Sequence, residues 1–350
     1  MLCMILVSCT GQKTGKENDN NDKIAIEVGE IKFPPQDVLQ LKSYYLSSSV
    51  HVDSIDYLIG YNYRLHSLDC MNLKSKSVTQ IVLPGDGPDA IVRLSGIYAQ
   101  SLDSVWISDE SERAFLIDSV GTIKRMIDLK KYLEDQEQLL INTNYAMFTS
   151  HLFYNASRHS LMFLVKHTPS NTFIVKEVFI DEVGKMATYQ LSSSKVVPDM
   201  SKGYAYINFP NVNFVGENIV YNYPVESSIY MLDIRTNERK YILADSHYTS
   251  NIIEKCTTSG DYATLEKHWL ENSHFYDIMY LPKYKIYARL HADKVDFDEK
   301  KGMEKLINER DLYLMLFDEN MEKIGETKLS NCRYSPFTSW NATYGGIALF

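Results

Sequence analysis

The sequence has few cysteines and lacks the motifs by which most catalytic sites are recognised. Among its 350 residues are five cysteines, none with CxxC or zinc-ligand spacing. Cys70, Cys256 and Cys332, which follow the first ten residues, leave room for at most one disulfide, and we interpret them as small apolar strand residues. GxSxG, HExxH, Walker A and GxGxxG motifs are also missing. We therefore predict no catalytic residue, no cofactor and no metal site.

Positive charge is scarce as well. The chain has 36 Lys and Arg against 45 Asp and Glu, a formal net charge of −9. A protein that binds nucleic acid needs a basic face to neutralise phosphates, and no basic cluster here exceeds two residues. We expect no nucleic-acid partner, and we attribute the negative balance to solubility.

Long hydrophobic runs are absent, and the one apolar leader, MLCMILVSC, is too short to span a membrane. It ends in Leu6-Val7-Ser8-Cys9 and is followed by the polar tract TGQKTGKENDNNDK. These four residues resemble the bacterial lipobox, whose cysteine carries two acyl chains, enough for stable anchoring. We predict a lipoprotein signal peptide over residues 1–9 with Cys9 lipidated, a flexible tether over 10–23 and a single domain over 24–350.

Tyrosine, by contrast, is abundant, with 25 residues, and it suits strands whose rings are half-buried. The segment 103–129 contains three runs, SVWISD, RAFLIDS and TIKRMIDL, separated by polar breaks. Apolar and polar residues alternate along much of each run, which predicts β-strands.

The same pattern recurs along the chain at intervals of about 50 to 70 residues. The positions that we assign to the second strand of each repeat are Tyr57, Val105, Leu161, Ile219, Ile286 and Ile347. Repeats of this size with four strands each are typical of a β-propeller. We predict an all-β fold, a six-bladed β-propeller of four-stranded blades. The last blade has only two strands in this sequence, so we expect the N-terminal strand 24–33 to join it and close the ring. A pair of β-sandwiches is the competing architecture.

Two segments interrupt the strand pattern. Residues 130–140, KKYLEDQEQLL, are rich in helix formers and predict a helical insertion. Residues 293–310 are highly charged and predict a loop or a short helix.

The lipobox, the tether and the repeats together resemble the TolB-like six-bladed propeller lipoproteins of Bacteroidetes. The third strands end in Leu68-Asp69, Leu116-Ile117-Asp118 and Leu232-Asp233, and a Gly85-Asp86-Gly87-Pro88 loop precedes the second repeat. The resemblance implies a location in the cell envelope, lipid-anchored to the outer membrane and either periplasmic or surface-exposed. Such families are largely domains of unknown function, so the resemblance implies no chemistry.

Propellers generally bind at one mouth of the central channel, where loops and inner strands converge. The candidate mouth residues precede the second, third and fourth repeats, and they are Asp86, Asp89, Tyr145, Tyr204 and Tyr206. Our leading hypothesis is a non-enzymatic binding or scaffold module for an unknown envelope protein or glycan, with tyrosines supplying stacking and hydrogen-bonding surfaces.

The alternative is a carbohydrate-active hydrolase or lyase whose Asp, Glu and His residues converge at the channel mouth. A metal-dependent enzyme is a third possibility. It would draw on scattered residues between the fourth and fifth repeats: His247, His268, His274, His291, Asp261 and Asp277. Their spacing fits no ligand pattern. Convergent carboxylates and histidines in a deep channel would favour an enzyme, and a flat aromatic face would favour a binder.

The lipid anchor is tested by replacing Cys9 with alanine. Because the two acyl chains would be the only membrane attachment, the Cys9→Ala protein should move from the membrane fraction to the soluble periplasm. Immunoblots of fractionated cells measure this, and an unchanged distribution would exclude the lipidation hypothesis.

Overall fold

The computed structural model describes residues 2–8, 25–33, 44–141, 148–196, 204, 208–256, 261–329 and 340–349. The predicted lipidation site Cys9, the tether, Tyr145, Tyr206 and Cys332 lie outside the described residues. Within the described ranges, no helix is long and apolar enough to cross a membrane.

The regular structure is mostly antiparallel β-sheet. The first two strands are Leu2–Ser8 (β1) and Ala25–Ile31 (β2). Blade one contains Ser47–Val52 (β3), Ile55–Asn62 (β4), Ser67–Asn72 (β5) and Val78–Val82 (β6). Blade two contains Leu94–Ser101 (β7), Ser104–Asp109 (β8), Arg113–Ile117 (β9) and Ile123–Asp128 (β10). A short 3-10 helix, Leu129–Tyr132, follows.

Three further blades follow. Blade three contains Glu137–Leu140 (β11), Phe153–Asn155 (β12), Ser160–His167 (β13), Thr172–Phe179 (β14) and Met186–Gln190 (β15). Blade four contains Asn211–Val215 (β16), Asn218–Asn222 (β17), Ile229–Asp233 (β18) and Arg239–Ile242 (β19). Blade five contains His274–Leu281 (β20), Ile286–Ala292 (β21), Leu312–Phe317 (β22) and Lys323–Lys328 (β23). The helices are Tyr262–Leu270 (α1) and Met303–Glu309 (α2), and the last strands are Trp340–Ala342 (β24) and Gly346–Leu349 (β25).

The structure confirms an all-β, propeller-like fold with four-stranded blades. The six second-strand positions predicted from the repeat lie in β4, β8, β13, β17, β21 and β25. Five blades form from strands that are consecutive in sequence, one fewer than predicted. A further four-stranded sheet, the terminal sheet, combines strands from both ends of the described chain in the order β2-β1-β25-β24.

The strand order of the terminal sheet differs from the ring closure that we predicted. Strand β1 pairs antiparallel with β25 on one side and with β2 on the other. The predicted closing strand, 24–33, therefore pairs with β1 at the edge of the sheet and not with β24 or β25. Closure of the ring by that strand is not shown. The reason is that β1 offers β2 a continuous register from Leu2↔Ile31 to Ser8↔Ala25. The assignment of residues 1–9 as a signal peptide stays a prediction.

The predicted helix over residues 130–140 was wrong for its second half. After one 3-10 turn, Glu137–Leu140 forms β11 and pairs with β13. The buried Lys176 ammonium donates hydrogen bonds to the Tyr132 carbonyl at 2.7 Å and the Glu137 carboxylate at 2.5 Å, which fixes both ends of the segment. Tertiary pairing thus outweighs local helix propensity, which contributes only tenths of a kcal/mol per residue. The predicted short helix within 293–310 is confirmed as α2.

Polar side chains join neighbouring sheets at their first, or inner, strands: β3, β7, β12, β16, β20 and β24. Each of these bonds crosses from one sheet to the next. They are Ala99 N to Ser48 Oγ (3.1 Å), Thr149 N to Asn211 Oδ1 (2.8 Å), Asn213 Nδ2 to the Ile278 carbonyl (3.0 Å) and Asn341 Nδ2 to Ser47 Oγ (2.5 Å). Buried groups that are paired in this way avoid a desolvation penalty, so the inner strands are held around a central channel.

Apolar clusters fill the space between sheets. The largest lies between blades three and four and receives Trp269 and Leu270 from α1 and Leu306 and Ile307 from α2. Helix α1 begins at Asp261, whose carboxylate accepts the Thr264 N–H at 2.6 Å. The free thiol of Cys70 is buried in the cluster between blades one and two, and burial raises its pKa to about 12.

Gly121 tests the packing of blade two on blade one. It has a φ of +85°, and a Cβ there would lie 2.1 Å from the Val82 carbonyl oxygen; Gly184 has a φ of +79° in open space. Gly184→Ala should cost about 1 kcal/mol of unfolding free energy from backbone strain alone. Gly121→Ala should cost about 1–3 kcal/mol more, because the carbonyl must move. Chemical denaturation measures both, and equal losses would contradict the packing.

Candidate functional site

A cavity of about 400 Å³ occupies the central channel. Every inner strand contributes to its lining, with Ser48–His51 of β3, Ile97 and Tyr98 of β7, Phe153 of β12, Asn213–Val215 of β16, Asp277, Met279 and Tyr280 of β20, and Trp340–Ala342 of β24. Residues of the turns that follow these strands, Gly216, Pro282, Thr343 and Tyr344, line it too. The cavity therefore lies toward the carboxyl ends of the inner strands.

Aromatic rings form much of the wall. Phe153 stacks on Phe214 with centroids 4.9 Å apart, and Tyr98 meets Phe153 edge-on at 5.1 Å. Burial raises the pKa of Tyr98 to about 12, so this phenol stays neutral at physiological pH. Such walls suit apolar faces of a ligand, while the hydroxyl supplies a polar contact.

Asp277 is the buried carboxylate of the cavity. The pairing of β20 with β21 shifts register between Phe275 and Ile278, so Asp277 lies in a β-bulge. Bulges re-aim side chains, and here the carboxylate lines the channel although only 2% of its side chain is exposed. Its Oδ1 accepts the Trp340 indole N–H at 2.6 Å, and Trp340 packs edge-on against Tyr276.

His151 faces Asp277 from blade three. The inner edge of that blade is split, because β11 and β12 pair with successive parts of β13. His151 lies between the two short strands, and its Nε2 is 3.6 Å from Asp277 Oδ2. A break in one inner strand and a bulge in another thus bring an imidazole and a carboxylate together.

A second imidazole–carboxylate pair lies at the rim. His51 Nδ1 is 2.7 Å from Asp56 Oδ1, and the Tyr344 ring stacks on His51 at 4.1 Å. The Tyr344 N–H also donates to Asp56 Oδ1 at 3.2 Å. This cluster joins blade one to the terminal sheet beside the cavity.

The residues predicted for the channel mouth lie elsewhere where they are described. Asp86 and Asp89 are exposed in the loop before β7, and Tyr204 is buried in the apolar core. None of these three lines the cavity, because they precede the inner strands and the cavity lies toward the strand ends. Tyr145 and Tyr206 fall outside the described residues. A binding role for these five residues stays a prediction.

The histidines considered for a metal site have separate surroundings. The ring nitrogens of three of them lie near a carbonyl, an indole N–H and a carboxylate: His268 Nε2 to the Glu254 carbonyl (2.7 Å), His274 Nδ1 to Trp269 Nε1 (3.2 Å) and His291 Nε2 to Glu326 Oε1 (3.0 Å). Across the described part of the chain, no three His, Cys, Asp or Glu side chains are grouped to hold a metal.

Comparison with protein families gives a match to "Domain of unknown function (DUF4221)" over residues 17–328. The chain belongs to the DUF4221 family. A search of curated proteins finds no match. Among solved structures, the DUF4221 chain is similar to a crystal structure of a DUF4221 member from Bacteroides vulgatus, with a TM-score of 0.67 and 15% identity. The match covers 85% of this chain and 84% of that one.

A second similar structure is a putative exported protein from Bacteroides fragilis, with a TM-score of 0.49 and 13% identity, covering 88% of this chain and 75% of that chain. At 15% identity, the first structural similarity shows a shared fold and no more. The second similarity is too weak to support a conclusion. The family match assigns no activity.

The Trp340–Asp277 contact is tested by a double-mutant cycle. Trp340→Phe removes the indole donor but keeps an aromatic ring, and a hydrogen bond to a charged group contributes about 1.5–3 kcal/mol. Trp340→Phe should therefore lower the unfolding free energy by that amount, and the loss should shrink when Asp277 is replaced by leucine. Denaturant titrations of the four proteins give the coupling, and fully additive losses would contradict the contact.

Proposed function

We propose that this DUF4221 chain is a binding module that takes a polar, sugar-sized ligand into the channel cavity. The observation that carries the proposal is the composition of the lining, in which aromatic walls surround one buried carboxylate, with the imidazole of His151 beside it and that of His51 at the rim. Ligand sites are typically concave and largely apolar with a few placed polar groups that orient the ligand. A single sugar unit of an envelope glycan fits the dimensions and the surfaces of this cavity.

The lining favours binding over carbohydrate hydrolysis. Most glycosidases need two carboxyl groups on opposite sides of the scissile bond. Asp277 is the one carboxylate among the described residues that line the cavity, and Asp56 at the rim accepts bonds from the protein itself. The His151–Asp277 pair is the one feature that favours the hydrolase or lyase alternative, and hydrolysis lacks its second carboxylate among the described residues of the lining.

We further propose that the terminal sheet takes the place of a sixth blade of a TolB-like ring. Since β1 belongs to the predicted signal peptide, the processed protein would keep β2, β24 and β25 of this sheet but not β1. The inner strand of the sheet, β24, contacts β3 of blade one and β20 of blade five. The Ser49 hydroxyl donates to the Ala342 carbonyl, and Trp340 reaches Asp277 across the opposite boundary. These contacts match those between consecutive blades, and they support a closed arrangement around the cavity.

The proposed location is the cell envelope, with Cys9 as the lipid anchor to the outer membrane. The support is the lipobox-like Leu6-Val7-Ser8-Cys9 and the polar tract that follows it. A tethered propeller with an accessible channel would then meet a glycan or an envelope protein on either face of that membrane.

Filling the cavity tests the proposed binding site. Val215 lines the cavity and is half-buried, whereas Val183 is fully exposed in a turn of blade three. Binding of mono- and disaccharides prepared from bacterial envelopes is measured by calorimetry for the wild type, Val215→Trp and Val183→Trp. We expect saturable binding by the wild type and Val183→Trp, and at least tenfold weaker binding by Val215→Trp.

Circular dichroism and thermal unfolding confirm that both tryptophan variants keep the fold. Equal binding by Val215→Trp and Val183→Trp would place the site outside the channel and overturn the proposal. Saturable binding by none of the three proteins would overturn it as well.

A further inference from the structure

The hydrogen-bonding groups that line the cavity differ in whether they already have partners within the protein. The two asparagine amides of the lining already bridge neighbouring sheets: Asn213 donates to the Ile278 carbonyl, and Asn341 donates to Ser47 Oγ. Asn213 Oδ1 also accepts from the Phe214 N–H. Each amide nitrogen thus uses at least one of its two N–H groups to hold the fold.

The acceptors, in contrast, face the cavity. Asp277 uses Oδ1 for the Trp340 indole, while its Oδ2 lies 3.6 Å from His151 Nε2, beyond hydrogen-bond distance. Lone pairs of this carboxylate are thus available to a donor on the ligand. When Nε2 of His151 is unprotonated, it offers a second acceptor beside the first.

The lining carries little charge apart from its two histidines, His51 and His151. Neither Lys nor Arg occurs among the described residues that line the cavity, and Asp277 is their only carboxylate. Lys283 lies close to the rim, where its ammonium sits 5.0 Å from the centre of the Tyr284 ring. When His151 is neutral, Asp277 has no cationic partner among the described residues of the lining, so a ligand cation there would offset the cost of burying the carboxylate.

The aromatic walls suit the same kind of ligand. Cations are attracted to the faces of Trp, Tyr and Phe rings, more strongly where water is excluded. Tyr98, Phe153, Phe214, Tyr280 and Tyr344 all line the cavity that contains Asp277. A neutral sugar could bond to the hydroxyls of Tyr98, Tyr280 and Tyr344, but it would leave the charge of Asp277 uncompensated.

We propose that the ligand of the channel cavity carries a cationic amine, which pairs with Asp277 between the aromatic walls. The inference rests on the proposed binding function and narrows its ligand class to ammonium compounds, amino sugars included. Anionic ligands are disfavoured because they would meet Asp277 without a lysine or an arginine in the described lining.

Matched probes test the charge requirement. Benzylamine and benzyl alcohol share a ring and differ in charge, as do glucosamine and glucose. Calorimetry on the wild type at neutral pH and low salt should give benzylamine and glucosamine at least tenfold tighter binding than their neutral counterparts. This comparison uses the unaltered protein, so it does not depend on how any variant folds.

Asp277→Asn then tests the residue, because asparagine keeps the shape and still accepts the Trp340 N–H. Asp135→Asn is the control, since Asp135 is exposed and far in sequence from every lining segment. We expect Asp277→Asn to weaken amine binding at least tenfold and so to reduce the preference for amines over their neutral counterparts, whereas Asp135→Asn should behave as the wild type.

The outcomes separate this inference from the proposed function. If amines and neutral probes bind equally, or if Asp277→Asn binds amines as the wild type does, the amine inference is overturned while a channel site stands. If no amine binds at millimolar concentration, the inference is also overturned. The saccharide measurements on Val215→Trp then decide the proposed function independently.

Discussion

The arrangement depends on hydrogen bonds that short polar side chains make between neighbouring inner strands. An edge-to-edge meeting of two sheets leaves polar groups that must be paired once they are buried. Ser48, Asn211 and Asn213 supply those partners between blades one and two, three and four, and four and five, and Asn341 does so between the terminal sheet and blade one. Because the amides are short, they hold the inner strands at fixed separations, and the channel keeps its width.

This way of joining the blades also determines the chemistry of the channel. Side chains that bridge the sheets use part of their hydrogen-bonding capacity in doing so, and the carboxylate and the imidazole of the site lie where regular pairing fails. The bulge in β20 presents Asp277, and the split inner edge of blade three presents His151. The site thus arises at irregularities, while the regular strands contribute the aromatic walls.

The repeat of strands was predictable from sequence, because alternation and turn residues are local signals. Positions such as Val105 and Ile286 were assigned to the correct strands for that reason. Residues 137–140 were misassigned as helix because their strand partner is β13 and their anchor is Lys176, both remote in sequence. Asp277 and His151 were missed as a pair for the same reason, although an aspartate within the apolar run FYDIMY is an unusual feature that could have indicated it. The loop residues Asp86 and Asp89 were preferred because turn chemistry is visible in sequence and a bulge is not.

The central claim is that a ligand ammonium meets Asp277 inside the channel. A crystal structure of the protein soaked with benzylamine tests it most directly. The account predicts density for the amine within the cavity, its nitrogen about 2.8 Å from an Asp277 oxygen and its ring against the Phe153 and Phe214 wall. An Asp277 side chain turned out of the channel, or an amine bound only at the outer surface of the blades, would contradict it.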